Sequence, residues 1–481
     1  MIIDNLIEES RKKASSDIEI HKQKLFEQYF TPIDIAKYMC SLFSKIDKKV
    51  ELLDAGAGVG NLGAISSLHY LKHNSVNLTA VEWDTNLLKF INNNLSAIKA
   101  KYNNFSFNID NTNFYNFSQK ALLNKKQFNR IIINPPYSLT SKGTQEELLL
   151  LEKLDVHTPN AYSNFIELSY RLLDEDGELV AIVPRSFCNG TRFTKFRLKM
   201  LNEVKIEFIH SFESRKEVFK EYGIFQEVVI MKLTKKNIKK TTVCISDKLD
   251  HKKCEKFSFS KIIFKNDPYK FIHIPSKKDD KEILTKIYKL PSSLKKLGLT
   301  ISTGKVVEYR EPYLSNSKSD DSAVVIYQRN IKNGLLDLSI KGSSKQYLNR
   351  NELSSNKMIL PGNYIVMKRM SYKENKERIS SAILTKKYFT NKYITIENHL
   401  NYIHKDGQGF EKDLVIGLNS YLSSNILDKY IRRFNGHTQI NASDIISLPM
   451  PSYGTLMNIG KLMRNKIITN EQDIENLLFK E

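Results

Sequence analysis

The sequence predicts an α/β protein: a doubly wound, mostly parallel sheet with an antiparallel edge hairpin, followed by a basic α+β domain. Three observations point there. From Val50 to about residue 233, strand-like and helix-like segments alternate, as they do when parallel strands are joined by helices. One of these segments, Arg130-Ile-Ile-Ile, is an unbroken β-branched run that stops at Asn134-Pro-Pro-Tyr137, the pattern of a strand buried on both faces. Beyond about residue 250 the alternation ceases and the charge turns strongly positive.

Taken in order, the chain opens with an amphipathic, charge-rich helix from Asn5 to about Phe26, broken at Gln28-Tyr-Phe-Thr-Pro32. Helical spacing resumes from Ile33 to Phe43, with Thr31 as N-cap, Pro32 at the first helical position and Asp34 in the first turn. Strands follow at 50–54, 77–82, 105–110, 127–134 and 177–184, separated or followed by helices at Asn61–Leu71, Asn86–Ile98, Asn160–Leu173 and Thr194–Leu201. Segments 206–212 and 226–233 have no helix between them, which suggests the antiparallel hairpin at one edge. Past 250 come short strands at 322–328 and 363–370, then helical stretches from Asp413 to Phe434 and from Leu456 to Leu478. The expected division is 1–250, including an N-terminal segment 1–45, and 251–481.

Charge separates the two halves. Residues 1–250 carry 35 basic and 30 acidic groups, whereas 251–481 carry 39 and 23, so most of the net +21 sits in the second half. Such asymmetry points to a polyanion site rather than a general solubility device. Cys40, Cys188, Cys244 and Cys254 lack CxxC spacing, so neither a zinc site nor a disulfide framework is expected and a reducing cytoplasm fits. The ten histidines show no metal-binding spacing, and no metal is expected. The N-terminus is polar too early for a signal peptide and no apolar run approaches a membrane span, so a soluble intracellular protein with no membrane partner is expected.

Two stretches carry chemistry. Leu53-Asp-Ala-Gly-Ala-Gly-Val-Gly60 lies between the first strand and the following helix, where glycines let the backbone approach a ligand and the helix N-terminus offers unpaired N–H groups. Gly58-Val-Gly60-Asn-Leu-Gly63 also matches GxGxxG, with Glu82 placed to bind a ribose, so a nicotinamide dehydrogenase is a live reading of this segment alone. Trp83 is suited to packing on an adenine ring or on core. Asn134-Pro-Pro-Tyr137 decides between the readings. Hydride transfer has no use for an amide and a backbone carbonyl side by side next to a ring; methylation of a planar amino nitrogen does. The Asn134 side-chain oxygen and the Pro135 carbonyl can accept its two N–H hydrogens and turn its lone pair toward a methyl donor. Tyr137 can stack on an extruded base.

With these residues in place, the sequence resembles the amino-group DNA methyltransferases whose cofactor motifs precede the catalytic motif, and more narrowly the adenine modification enzymes of type II restriction systems. The matching segments run in order through nearly the whole chain: QYFTP (28–32), DAGAGVG (54–60), VEWD (81–84), NPPY (134–137), VPRSF (183–187), VFKEYGIFQEVVIMKL (218–233), STGKVV (302–307), NYIVMKR (363–369) and GHTQINASDIISLPMP (436–451). The resemblance implies a Rossmann-like methyltransferase sheet, S-adenosylmethionine as cofactor and double-stranded DNA as partner. It implies a C-terminal target-recognition domain and a cognate restriction endonuclease in the same system, or an orphan role. The expected protein is a monomer or weak dimer in the cytoplasm, associated with the nucleoid.

Carried over residue by residue, Phe30, Thr31 and Pro32 would line the methionine end of the cofactor. Asp54 with Gly56, Gly58 and Gly60 would hold that end from the other side, and Glu82 the ribose. Where the family has an Asp-Phe pair beside the cofactor adenine, this chain has Asn113-Phe114, with Asp110 nearby as an alternative. Phe219, with Phe225 second, would face Tyr137 across the flipped adenine. Ser138–Pro159 is expected to be a loop that orders on DNA, with Lys142 and Gly143 near phosphate. Lys305, Arg310, Lys368, Arg369, Arg432 and Arg433 are the candidate DNA contacts of the basic half. The same chemistry on RNA or on protein glutamine, and a modification subunit that needs a separate specificity partner, are the alternatives.

Overall fold

The protein is described here by a computed structural model covering residues 2–17, 29–212, 227–250, 254–265, 267–275, 278–332, 334–372, 375–434, 439–468 and 470–479. Two compact units divide the chain, Met1–Ser276 and Lys277–Glu481. The division falls later than the expected position of 250, because the chain keeps adding to the first unit beyond that point. The Ile272 N–H donates to the Cys188 carbonyl at 2.9 Å and the Arg197 guanidinium donates to the Tyr269 carbonyl at 2.9 Å.

The first unit runs α1 (Ile2–Asp17), α2 (Ile33–Ser41), β1 (Val50–Ala55), α3 (Asn61–Tyr70), β2 (Val76–Val81), α4 (Leu88–Lys101), β3 (Phe105–Asp110), α5 (Phe114–Leu123) and β4 (Phe128–Ile133). It continues through α6 (Ala161–Arg171), β5 (Leu173–Pro184), α7 (Thr194–Glu203), β6 (Lys205–Ser211), β7 (Val228–Thr234), β8 (Lys240–Ile245) and β9 (Cys254–Ser258). The remainder of the helix expected up to Phe26 lies outside the described residues. One nine-stranded sheet results, in the order β3-β2-β1-β4-β5-β7-β6-β8-β9. β1 to β5 are mutually parallel, and β7 runs antiparallel between β5 and β6.

The Ile run explains why this sheet is covered on both faces. Ile131 and Ile133 join the core formed with α5, α6 and α7, while Ile132 joins the opposite core formed with α1 to α4. Side chains alternate across a strand, so three consecutive apolar residues need two apolar layers. Each fully buried aliphatic side chain of this kind contributes about 1.5–3 kcal/mol. The antiparallel β6/β7 pair is present, but the sheet does not stop there. β8 pairs parallel with β6, and β9 pairs antiparallel with β8. That last register sets Cys244 directly opposite Cys254, and the two are joined as a disulfide, contrary to the expectation of no pairing. Spacing along the chain carried no sign of it, because the pairing comes from strand register. Cys40 and Cys188 are free and buried.

The second unit holds a four-stranded antiparallel sheet of Thr300–Thr303, Leu400–His404, Tyr364–Lys368 and Ser381–Leu384, and a five-stranded sheet centred on Ala323–Ile326. Each long helix expected at its end is two helices: Lys412–Leu422 and Asn425–Phe434, then Tyr453–Arg464 and Glu471–Leu478. Lys466 adopts a left-handed backbone at φ 56° and Asn470 starts a new cap, which interrupts the second pair. Helices Lys412–Leu422 and Tyr453–Arg464 touch backbone to backbone. A Cβ on Gly417 would lie 1.9 Å from the Leu456 carbonyl oxygen, and one on Gly460 1.8 Å from that of Asp413. Among the described residues, no helix is long and apolar enough to cross a membrane.

Candidate active site

In an open α/β sheet, ligands bind beyond the C-terminal strand ends where the strand order reverses. Here the chain moves outward from β1 to β2 and β3 and returns to β4 on the other side of β1, so that point lies between β1 and β4. Asp54 pairs in register with Ile132, which brings the glycine loop and Asn134 to the same edge.

Asp54 is fully buried. Its Oδ2 accepts from the Gly63 N–H at 2.7 Å, and its Oδ1 has no hydrogen-bond partner. Burial pushes its carboxyl up to about 8, against the lowering effect of the Gly63 bond. Glu82, at the end of β2, accepts from the Gly58 N–H at 2.7 Å and the Asp84 N–H at 2.9 Å. Burial lifts its carboxyl to about 7 despite those bonds. Gly56, Gly58 and Gly60 all take left-handed φ values, 73°, 60° and 74°. Gly58 also meets a steric limit, since a Cβ there would lie 2.9 Å from Cδ1 of the buried Phe30 ring. The loop is thereby a backbone-lined wall with two carboxylates behind it, one of which keeps an oxygen without a partner among the described residues.

The Asn134 amide is aimed from a distance. Asn134 Nδ2 donates to the Tyr29 carbonyl at 2.9 Å and to Thr31 Oγ1 at 3.0 Å, across 105 and 103 residues of sequence. Both amide hydrogens are thereby spent, and Oδ1 is left as the acceptor. Thr31 is in turn fixed by Asn61, whose Nδ2 donates to the Thr31 carbonyl at 2.5 Å. This corrects the expected N-cap. Helix α2 begins at Ile33 with Pro32 in the cap position and no side-chain cap, because the Thr31 hydroxyl serves Asn134 instead. Pro135 is buried, and Tyr137 is half-buried with its ring edge-on to Tyr162 at 6.4 Å. The Tyr137 hydroxyl reaches Asn134 Oδ1 at 3.3 Å and the Ile182 carbonyl at 3.4 Å.

Two cavities meet at this edge and share Gly56, Trp83, Pro136 and Phe165. The smaller, about 100 Å³, is lined by Tyr29, Phe30, Thr31, Gly58, Glu82 and Asn134 among others. The larger, about 490 Å³, is lined by Thr112, Asn113, Phe114, Thr140 and Glu146 among others, a size ordinary for a small-molecule site. Trp83 is 55% exposed at their junction, which removes the alternative that it is core. Phe114 is buried with its ring 4.7 Å from Phe165. Asn113 Oδ1 accepts from the Tyr115 N–H at 2.8 Å, capping α5, and its Nδ2 donates to Glu146 Oε1 at 2.6 Å. Asp110 Oδ1 accepts from Thr112 Oγ1 at 2.6 Å.

Segment 138–160 closes on itself through Ala161 N–H to Ser138 carbonyl at 2.9 Å and contains a helical turn at Gln145–Leu148. Lys142 and Gly143 sit at its exposed tip. Phe219 and Phe225 lie outside the described residues. In the second unit Lys305 and Arg310 are exposed, and Lys368 is half-buried, its ammonium held below the usual range by burial. Arg369 donates to the Asn398 carbonyl at 2.8 Å. Arg432 is tied to Asp428 at 2.5 Å and to the Asn375 and Lys376 carbonyls, so its guanidinium works within the fold. The side chain of Arg433 lies outside the described residues. Sequence reasoning missed Asn61, Phe165 and Glu146. Asn61, next to the third glycine, carried a usable signal as a polar residue at a helix start; Phe165 reads as core on the expected helix, and Glu146 as an ordinary surface acid.

Comparison with known proteins bears on this geometry. The family model of the Eco57I restriction-modification methylase matches residues 15–219. The Type II methyltransferase M.BsuBI of Bacillus subtilis is 33% identical over 94% of this chain and 94% of its own. The Type II methyltransferase M.PstI of Providencia stuartii is 33% identical over 94% of this chain and 92% of its own. Among solved structures, the Type IIL restriction-modification enzyme MmeI superposes with a TM-score of 0.56 over 98% of this chain and 76% of that one, at 12% identity, a likeness of fold. With that identity over a match that spans 94% of the chain, the chain belongs to the type II methyltransferases of restriction-modification systems.

Proposed function

We propose that this methyltransferase transfers a methyl group from S-adenosylmethionine to the exocyclic amino nitrogen of an adenine swung out of duplex DNA. The observation that carries this reading is the aim of Asn134. With both amide hydrogens spent on Tyr29 and Thr31, its oxygen is a committed acceptor at a sheet edge beside the cleft. An aromatic amine is a poor nucleophile because its lone pair is delocalised into the ring, and an acceptor that takes up its N–H hydrogens localises that pair. A group fixed before the substrate arrives loses little in reorganisation.

The residues of the cleft fit the donor. The unpartnered Oδ1 of buried Asp54 suits an ammonium group, Glu82 at the end of β2 suits ribose hydroxyls, and the packed Phe114 and Phe165 rings offer one apolar wall against which a planar ring can lie. The donor supplies an electrophilic methyl on a sulfonium; the chain's own residues bind, orient and exclude water. DNA is favoured over a protein target because the second unit carries 33 Lys+Arg against 21 Asp+Glu between residues 277 and 481, the balance expected of a phosphate-tracking surface. A cognate restriction endonuclease sharing the target site fits this reading.

The test is transfer of labelled methyl to duplex DNA, followed by digestion to nucleosides. Label in N6-methyladenine is expected. Asn134→Ala should lower the rate by about 10³-fold while leaving the melting temperature unchanged. Label in cytosine, RNA or protein, or full turnover by the variant, would overturn the proposal.

A further inference from the structure

The larger lobe of the cleft has flat apolar walls, Phe114, Phe165, Trp83 and Pro136, and a polar rim of Thr112, Asn113 and Glu146. A planar heteroaromatic ring fits between such walls, and its polar substituents must then meet the rim. Asn113 is poorly placed to accept from them. Its oxygen already accepts from the Tyr115 N–H that opens α5 and carries no charge, and its nitrogen donates to Glu146 Oε1 at 2.6 Å. An amide so committed steers a carboxylate. A carboxylate has room for about four hydrogen bonds, so one contact from Asn113 leaves most of Glu146's accepting capacity available.

Glu146 is also held in place from its own side. Its helical turn, Gln145–Leu148, is capped by Thr144, whose hydroxyl accepts from the Glu147 N–H at 3.2 Å. The Glu147 carboxylate accepts from the Gly143 N–H at 2.6 Å. The turn is followed by buried Leu150, Leu154 and Val156, which lock the segment into the core shared with Phe114 and Phe165. A loop that looks featureless in sequence therefore delivers one charged acceptor to the rim of the ring slot.

We infer that Glu146, oriented by Asn113, accepts the hydrogen bond from the exocyclic amine of the donor's adenine and selects an amino purine over its 6-oxo counterpart. This rests on the reading of the cleft as the S-adenosylmethionine site. The closing experiment measures the binding of two non-reactive analogues, S-adenosylhomocysteine and S-inosylhomocysteine, by calorimetry. They differ in that a carbonyl replaces the amine. The wild-type chain is expected to prefer the adenosyl analogue by at least about tenfold, the range for a hydrogen bond to a charged acceptor. Glu146→Ala should bring the two affinities to within about threefold, and Glu146→Gln, which keeps a neutral acceptor, should fall between. Glu146 is exposed, and an unchanged melting temperature shows that the variants fold. If the wild-type chain binds neither analogue, both the donor reading and this assignment fail. If both bind and Glu146→Ala discriminates as well as wild type, the assignment alone fails.

Discussion

The two ends of β4 set the same sheet to opposite uses. At its N-terminal part, buried Arg130 lies 3.7 Å from Glu178 and donates to the Tyr70 hydroxyl, the Asn129 carbonyl and the Ser44 carbonyl. Buried Lys232 lies 3.1 Å from the same Glu178 and donates to Ser44 Oγ. Burial alone would raise the Glu178 carboxyl, but the two cations overcome it and hold it below its ordinary value. At the C-terminal end, burial wins. Asp54 and Glu82 are pushed up to about 8 and about 7, with no cation among the described residues to counter it. One end of the sheet has its charges matched internally; the other keeps acceptors waiting for a ligand. Unmatched buried carboxylates are what the proposed donor site would use.

Breaking the matched end should cost the most. Glu178→Ala leaves buried Arg130 without its counter-ion and Lys232 with only the partly exposed Glu207 at 3.2 Å, and about 3–5 kcal/mol of stability should be lost in denaturant unfolding. Affinity for the donor analogue should be unchanged in the fraction that stays folded; a large affinity loss would mean the two ends are not separable. At the functional end, Thr31→Val removes one of the two acceptors that hold the Asn134 amide. The expectation is a fall of about tenfold in kcat, equivalent to one hydrogen bond, with little change in KM for the donor. An unchanged kcat would show that the Tyr29 carbonyl suffices.

The smallest effect is a slope. Asp54 titrates near 3.8 when unperturbed and near 8 in the folded protein, so the folded state holds the extra proton between those values. The associated stability is present at low pH and is lost as pH rises through about 8. Asp54→Asn should flatten that dependence, so that its melting temperature gains on wild type by about 2–4 °C between pH 6 and 9 in the absence of ligand. Parallel curves would mean that Asp54 is already charged at pH 6.

Much of this was legible in the chain. Alternation gave the parallel strands, the Ile run gave two covered faces, and two prolines after Asn134 marked the strand end that borders the cleft. What escaped did so for physical reasons. The insertion of β7 between β5 and β6, and the Cys244–Cys254 pairing, depend on strand order and register, which leave no local pattern. Thr31 read as a helix cap because cap preference is a local rule, and a partner 103 residues away overrode it. Glu146 sits at the exposed start of a short helical stretch, Gln145–Lys153, where an acidic residue reads as ordinary solvated surface. The division after Ser276 was missed because the first unit continues past its last βα repeat.

The reach of Tyr29 and Thr31 to Asn134 has a consequence for engineering the chain. The amide is aimed by an earlier segment that must dock on the sheet edge, so the sheet and the competent amide are separable properties. A fragment beginning at α2 keeps the buried Ile35, Ala36, Met39 and Cys40 that pack that helix onto the core. It lacks both atoms that hold the Asn134 hydrogens. On the role proposed for Asn134, splitting the chain just before α2 is expected to make methylation depend on the N-terminal peptide supplied in trans.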